Sequence, residues 1–515
     1  MRAHATGVAP TTDAGYILQD AMTRAGARGP SLSPRNRRRE RDVPLYEDLA
    51  RRFARAIESG ALRAGDRLPS VRSLRAQERV STSTVMQALA RLEFAGLTES
   101  RPRSGYFVRQ RRLLPAPGPT RPAPTPRAVT VAPLVTRVIA ANRDDRLVPL
   151  GVSTPSSSLL PVGALARALA AVSRPGLGGA VTYEATAGFE GLRRDIARRA
   201  LAWGFAADPD DVVVTAGASE AVHLALRAVA RPGEIVAIES PAFYGTLQAL
   251  EALGLRAVEV ACHPETGLDL EALERILGEQ RVAAVLAVPN FSNPSGSLMP
   301  ETAKRRLVRM LAEREIPLVE DDIYGDLSFG EGRPPSAKAF DREGLVLTCG
   351  SFSKTLAPGW RVGYVLPGRY RESVLLLKFA LNVATSSAPQ RAVARFLETG
   401  AYDRHLRRLR SAVQMSAERM RAAVTASFPG GTRVSRPSGG LALWVELPRT
   451  VDSLALYQRA LDAGVSVAPG ELFGPHGGYG HFIRLSYGHP WDERFSQGVE
   501  TVGRIAARMA EAGAR

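Results

Sequence analysis

The sequence predicts a chain in two parts. A small basic module of three helices and two short strands comes first, and a large α/β domain on a mostly parallel sheet follows a proline-rich stretch. Three observations carry this. Apolar residues recur at helical spacing between residues 43 and 110, prolines crowd residues 111–143, and beyond them short Val/Ile/Leu runs alternate with amphipathic stretches to the C-terminus. With 515 residues, 45% of them hydrophobic, the chain can bury more than one core.

Charge separates the two parts further. The formal net charge is +17, and residues 1–112 hold 22 Arg, no Lys and 11 Asp plus Glu, so a net +11 lies in the first fifth of the chain. Such asymmetry points to a nucleic-acid or other anionic partner for the N-terminal part. Residues 1–42 lack apolar periodicity, end in "SPRNRRRERD" and are expected to be a disordered basic arm. The two cysteines, Cys262 and Cys349, are far apart, which excludes a disulfide scaffold and most zinc modules. His223, His263, His405, His476, His481 and His489 show no ligand spacing, so no metal is expected. No apolar run is long enough to span a bilayer and the N-terminus lacks a signal core, so a cytoplasmic location is expected.

In the module 43–110, Tyr46, Leu49, Phe53 and Ile57 give a first helix with one apolar face, ended by Gly60. Ser70 can cap a second helix carrying Val71 and Leu74, and Ser81 or Ser83 a third carrying Val85, Leu89 and Leu92. Three helices joined by tight turns suit a helix-turn-helix. The third would present Ser81, Thr82, Ser83, Met86 and Gln87 where a recognition helix meets base edges. "LTES" and "GYFV" read as two strands around the basic turn "RPRSG". The string "GALRAGDRLPSVRSL…VSTSTV…GL…SRPRSGYFV" resembles the GntR-type winged helix-turn-helix over almost the whole module. That resemblance implies that Arg72 contacts phosphate or bases, that Ser81, Thr82, Ser83 and Thr84 approach the groove, and that Arg101, Arg103 and Gly105 form the wing. Many relatives carry arginine where this chain has Thr82, which implies a different base readout there.

Residues 111–143 read as a semi-extended linker. In the domain expected over 144–515, "DVVVTAG", "EIVAIES", "VAAVLAVPN", "IPLVEDD" and "GLVLTCGS" are the strand candidates. "VVVTAGASEAVHLAL" turns from a strand into a helix, so the amides of Ala218 and Ser219 face an anion. Asp321 and Tyr324 follow one strand, Asn293 lies in the loop after another, and Lys354 sits in "GSFSKTLAPGWR" between hydroxyl residues and Arg361. A lysine amine becomes nucleophilic when desolvated or placed near positive charge. A phosphorylated, aldehyde-bearing pyridine would use this amine, a ring-nitrogen carboxylate and the phosphate donors together. "SFSK" also satisfies S-x-x-K, but no S-D-N or K-T-G accompanies it, so an acylating serine is rejected.

Residues 148–515 resemble the fold-type I aminotransferases that use pyridoxal 5′-phosphate (PLP), with motifs in that family's order and a smaller C-terminal α+β subdomain implied. The resemblance implies that Lys354 forms the internal aldimine and that Asp321 pairs with the pyridine nitrogen. Tyr324 and Asn293 would meet the ring hydroxyl, and Phe243 would stack on the ring, with Tyr244 its rival. Ala218, Ser219, Ser351, Ser353 and Arg361 would hold the phosphate, and Tyr183 would reach in from a partner subunit. Arg484 would grip a substrate or effector carboxylate. Ser153 stands where relatives usually carry glycine. Each residue alone has a plain structural explanation, but the ordered set does not.

A GntR-like module, a linker and an aminotransferase-like domain in this order resemble the MocR family of regulators. The expected function is a homodimeric, DNA-binding transcriptional regulator whose large domain senses PLP or an amino compound through Lys354. The alternative is a working PLP-dependent aminotransferase with a fused DNA-binding module.

Overall fold

The computed structural model describes residues 44–94, 96–101, 104–109, 114–131, 135–136, 138, 144–174, 181–330, 332–475 and 478–513. The expected basic arm, Arg103 of the wing and His476 lie outside the described residues. The chain divides into two compact units, with the boundary between Leu113 and Leu114.

The first unit contains helices Leu45–Glu58, Val71–Glu78 and Thr82–Phe94, then antiparallel strands Thr98–Arg101 and Gly105–Val108. Its helices close on one core of Leu49, Phe53, Leu68, Leu74, Val85, Leu89 and Leu92, sealed from the strand side by Leu97 and Val108. Each such side chain, fully buried, contributes about 1.5–3 kcal/mol. Ser70 caps the second helix by accepting from Ser73 N at 3.1 Å. Ser81, not Ser83, caps the third, accepting from Thr84 N at 3.1 Å. The second helix ends on Arg79, whose left-handed φ of 54° makes the tight turn toward the third.

The second unit is organised by a mixed sheet. Across it run Arg127–Ala128, Arg256–His263, Ile235–Ser240, Val282–Ala287, Leu318–Asp321, Val346–Ser351, Gly363–Leu366 and Val213–Thr215. The five from Arg256–His263 to Val346–Ser351 are mutually parallel, and Gly363–Leu366 is antiparallel to both neighbours. All five strand candidates from the sequence are present. The strands Arg256–His263 and Gly363–Leu366 are not evident in the sequence, because their apolar runs are short and flanked by charge. A smaller antiparallel sheet, Arg433–Val434, Ala442–Glu446, Phe482–Ser486 and Ala468–Pro469, forms the C-terminal part with helices Ala401–Ser427, Ser453–Asp462 and Glu493–Gly513.

The expected linker over residues 111–143 is corrected in part. Over the described residues 114–131 the proline-rich segment is packed within the second unit. Arg127–Ala128 pair antiparallel with Arg256–Ala257, and Val129, Val131, Val135 and Val138 are buried in that unit's main core. Proline richness hid this, since a proline-rich segment and an edge strand both lie in the broad extended region of backbone space and the sequence does not show whether a sheet edge lies beside it.

Candidate functional site

Every pocket-forming loop follows the carboxyl end of a strand in the large sheet, the position at which open α/β sheets bind ligands. A pocket of about 140 Å³ is lined by Ala218, Ser219, Val222, His223, Phe243, Gly245, Thr246, Ala249, Val288, Asn293, Asp321, Ile323, Tyr324, Ser353, Lys354 and Arg361. Residues predicted from loops more than a hundred positions apart therefore meet in one cavity.

Asp321 ends the strand Leu318–Asp321, and its neighbour across the ladder, Val346–Ser351, leads into the short 3-10 turn Phe352–Lys354. Asp321 is buried, and its Oδ1 has no hydrogen-bond partner among the described residues. Burial first, and the adjacent Asp322 carboxylate second, push its acid up to about 7 against the pull of the Ile323 amide and the Lys354 charge. Asp322 is itself committed elsewhere, to Arg333 and to Asn290 Nδ2 at 2.9 Å. Lys354 Nζ donates to Ser153 O at 2.6 Å and to Thr154 Oγ1 at 3.3 Å. Desolvation, then the charge of Arg484, lowers its ammonium from 10.5 to about 8; Asp321 opposes this and Arg361 adds to it. At that value roughly one amine in ten is neutral at pH 7, against roughly one in a few thousand for an ordinary lysine.

A cradle for an anion lies beside Lys354. Arg361 takes a left-handed φ of 52° and donates from Nη1 to Ser353 Oγ at 3.1 Å and from Nη2 to Ala216 O at 3.1 Å. Ser351 and Ser353 hydroxyls lie 2.7 Å apart, with Ser351 Oγ donating to Val362 O at 3.0 Å. Opposite them starts the helix Ala218–Val229, with Gly217 as its cap. The first-turn N–H groups of Ala218 and Ser219 have no intrahelical acceptors. Gly217 is required here. Its φ is 83°, and a Cβ would stand 2.2 Å from Arg361 Nη2.

Asn293 Nδ2 donates to Tyr324 OH at 3.2 Å, and the Ser153 hydroxyl lies 3.3 Å from the same oxygen. The Ser153 side chain thus points to Tyr324, and Ser153 is absent from the pocket lining. Between the aromatic rivals the geometry favours Phe243, which lines the pocket; Tyr244 packs on Phe473, with ring centroids 6.1 Å apart, and on Arg484. Arg484 is fully buried, donating from Nη1 to Asn293 Oδ1 at 3.1 Å and from Nη2 to Gly151 O at 2.5 Å, while its Nε lacks a partner among the described residues. Tyr183 is 86% exposed and does not line the pocket of its own chain.

Sequence reasoning missed the support for the anion cradle. Glu220 accepts from Ala216 N and, through Oε1, from Lys378 Nζ at 3.1 Å and Asn382 Nδ2 at 2.8 Å. This buried pair fixes the turn that presents Gly217. Lys378 gives no signal, because a lone lysine in an amphipathic helix reads as a solvated charge. His223, Thr154 and Thr246 are equally silent in the sequence, though His223 sits one helical turn after Ser219 and meets its carbonyl at 2.8 Å.

In the first unit, Arg72, Ser81, Thr82, Ser83, Gln87 and Gly105 are exposed. The hydroxyls of Ser83 and Thr84 each lie 2.8 Å from Ser81 Oγ, so these three are engaged with one another. Arg101 stacks over Phe107 at 4.4 Å and pairs with Glu99 at 2.7 Å, which fixes the wing's cation against its own strand.

A part-buried lysine and a buried carboxylate beside an anion cradle, at the strand ends of a sheet in this order, define a fold-type I aminotransferase-like domain. Residues 151–496 match the family Aminotransferase class I and II, and residues 45–108 match the Bacterial regulatory proteins, gntR family. The chain is 38% identical over 467 residues to the uncharacterized HTH-type transcriptional regulator YjiR of Escherichia coli (strain K12), covering 90% of this chain and 99% of that protein. It is 34% identical over 354 residues to the 2-aminoadipate transaminase of Thermus thermophilus, covering 68% of this chain and 87% of that protein. Among solved structures, LysN, the α-aminoadipate aminotransferase of Thermus thermophilus complexed with N-(5′-phosphopyridoxyl)-L-leucine, matches with a TM-score of 0.68 at 31% identity. That match covers 73% of this chain and 95% of the other. The chain belongs to the aminotransferase class I and II family and carries a gntR-family winged helix-turn-helix ahead of it, the arrangement of MocR-type regulators.

The cofactor of this family is PLP, and the pocket fits it. The unpartnered Asp321 Oδ1 suits a ring N–H, Arg361 with Ser353 and the helix N-terminus suit a phosphate, and Val222, Ala249, Val288 and Ile323 suit an apolar ring. Gly217→Ala is expected to displace Arg361 and weaken PLP binding about tenfold or more, roughly 1.4 kcal/mol, measured by titrating visible absorbance with circular dichroism unchanged.

Proposed function

We propose that the protein is a DNA-binding transcriptional regulator whose large unit binds PLP at Lys354 and answers to PLP or an amino compound. The observation that carries this reading is the convergence of Lys354, Asp321 and Arg361 on one pocket in a chain that also holds a winged helix-turn-helix. When bound, PLP supplies an aldehyde for amines and a ring that draws off electron density.

The chain's own residues do the rest. Lys354, kept partly neutral by burial and by Arg484, presents an amine that can attack at neutral pH. Asp321 offers its buried oxygen to the ring nitrogen, and a cationic N–H there would relieve the cost of holding a carboxylate out of water. Arg361, Ser351, Ser353 and the amides of Ala218 and Ser219 anchor the phosphate, Tyr324 and Asn293 meet the ring hydroxyl, and Phe243 covers one face. Arg484 is the cation for a ligand carboxylate, which would have to compete with Asn293 and Gly151 O for the guanidinium. A second copy of the chain would cover Val181, Leu376, Phe379 and Leu381, which are more than half exposed, and would bring Tyr183 toward the partner's pocket.

The complete set of pocket residues equally favours a second reading, a working aminotransferase. Fast multiple-turnover conversion of an amino acid with a 2-oxo acid would establish it, and chemistry limited to a half-reaction would count against it.

Capture of PLP by Lys354 should accelerate with rising pH and level off above about 8, because only the neutral amine attacks; an ordinary lysine would keep accelerating to about 10.5. Stopped-flow absorbance across pH 6–10 checks this, and Lys354→Ala should leave no borohydride-stable attachment. In the first unit, Arg72→Ala should weaken DNA binding about tenfold and flatten its salt dependence. Fluorescence anisotropy with the DNA upstream of the protein's own gene measures it, and full-length protein without salt-sensitive binding would contradict the regulator.

A further inference from the structure

The proline-rich segment that begins the second unit is fastened to both of that unit's sheets. At its start, Pro115 O accepts from Val434 N at 2.8 Å and Leu114 O from Arg436 Nη2 at 3.1 Å, both on the small sheet's side. Five residues on, the large sheet grips Thr120. Its N–H donates to Cys262 O at 3.0 Å, its hydroxyl donates to Ser240 O at 2.7 Å, and the same hydroxyl accepts from Cys262 N at 2.8 Å. Pro124 O then accepts from Gln280 Nε2 at 2.6 Å and Pro126 O from Arg256 Nη2 at 2.9 Å, before Arg127–Ala128 join the sheet. In this set of bonds Thr120 is the one segment residue whose side chain takes part.

Ser240, the acceptor of that hydroxyl, ends the strand Ile235–Ser240, three residues before the pocket wall. Ala242 N donates to Phe473 O at 2.9 Å, Phe243 lines the pocket, and Tyr244 packs on Phe473 and Arg484. The Ser240 hydroxyl donates to Glu259 Oε1 at 2.5 Å and lies 2.7 Å from Tyr479 OH, just ahead of the strand Phe482–Ser486 that carries Arg484. Whatever moves residues 240–244 therefore moves an atom that Thr120 holds. Between its anchors the segment is stiff: prolines at 115, 117, 119, 122, 124 and 126 fix φ and cannot slip into alternative ladders. A stiff segment passes a displacement along where a flexible one would absorb it.

We infer that residues 114–128 form a strap that couples the cofactor pocket to the start of the second unit, with Thr120 as the positioning residue that makes the coupling. The inference rests on the proposed reading of the pocket as a PLP site and names how that site is read out. Coupling requires that ligand change the free energy of strap opening. A strap equally tight in both states would carry no signal.

The test uses full-length protein and PLP itself, with two readouts: PLP affinity from absorbance titration, and hydrogen exchange of residues 114–131 with and without PLP. In wild type and in Thr120→Ser, which keeps the hydroxyl, PLP should slow strap exchange about tenfold. In Thr120→Val, PLP should bind within about twofold of wild type while the slowing disappears. Gln280→Ala, which removes a strap anchor that does not lead to the pocket, should keep the slowing. The inference is overturned if PLP binds wild type without slowing strap exchange, if Thr120→Val responds like wild type, or if Gln280→Ala loses the response as fully as Thr120→Val does. Failure of wild type to bind PLP at all is a separate result: it removes the cofactor reading, and the strap's role falls with it.

Discussion

Two groups of opposite charge, the part-buried Lys354 and the buried Asp321, are largely desolvated at the ends of adjacent parallel strands, and the rest of the large unit is arranged around keeping them there. Neither is satisfied as an ordinary buried ion would be. Lys354 leans on a carbonyl and a hydroxyl, and Asp321 has an oxygen without a partner among the described residues. Groups left in that condition cost stability unless something is to meet them. Two other buried charges, by contrast, are fully occupied: Asp322 with Arg333 and Asn290, Lys378 with Glu220, Asn382 and Thr385. An unpartnered carboxylate oxygen that lines a pocket beside Lys354 and the anion cradle marks that pocket as a candidate site.

The sequence reveals those parts of the fold and site whose residue types are strongly constrained. Strands buried on both faces must be apolar runs, so all five strand candidates are legible. Helix N-caps favour short side chains that accept a hydrogen bond, so Ser70 can be placed and Ser81 is one of two choices. Lys354, Asp321, Tyr324, Asn293, Ser353 and Arg361 can be named because each sits in a loop where a strand ends, Phe243 only through the family resemblance, and the structure brings them to one cavity. What stays hidden are contacts set by tertiary approach alone. Glu220 and Lys378 look like surface charges in a linear reading, and nothing in "LLPAPGPTRPAPTPRAV" indicates that a sheet edge runs beside it.

If the strap inference holds, that proline-rich segment carries the state of the pocket to the start of the second unit. A free linker would leave the DNA-binding module indifferent to events in the pocket, except through its local concentration. A strap bonded to the small sheet through Leu114 and Pro115, and to the large sheet through Thr120 and Arg127–Ala128, makes the first residues of the second unit a reporter of how those sheets are set. The same edge pairing covers the start of the strand Arg256–His263, at Arg256 and Ala257, which would otherwise present unpaired backbone there. One element would thus serve stability and, by the inference above, signalling, through the Thr120 hydroxyl bonded to Ser240 O three residues before the pocket wall.

The central claim is that cofactor occupancy at Lys354 is read as a change in DNA binding. Its most direct test is the affinity of the full-length protein for the DNA upstream of its own gene, at one fixed salt concentration, with and without PLP, in wild type and in Lys354→Ala. The account predicts that PLP changes the wild-type affinity by about 5- to 150-fold and leaves Lys354→Ala unchanged. Equal, salt-sensitive DNA binding by wild type with PLP and without it would contradict the account.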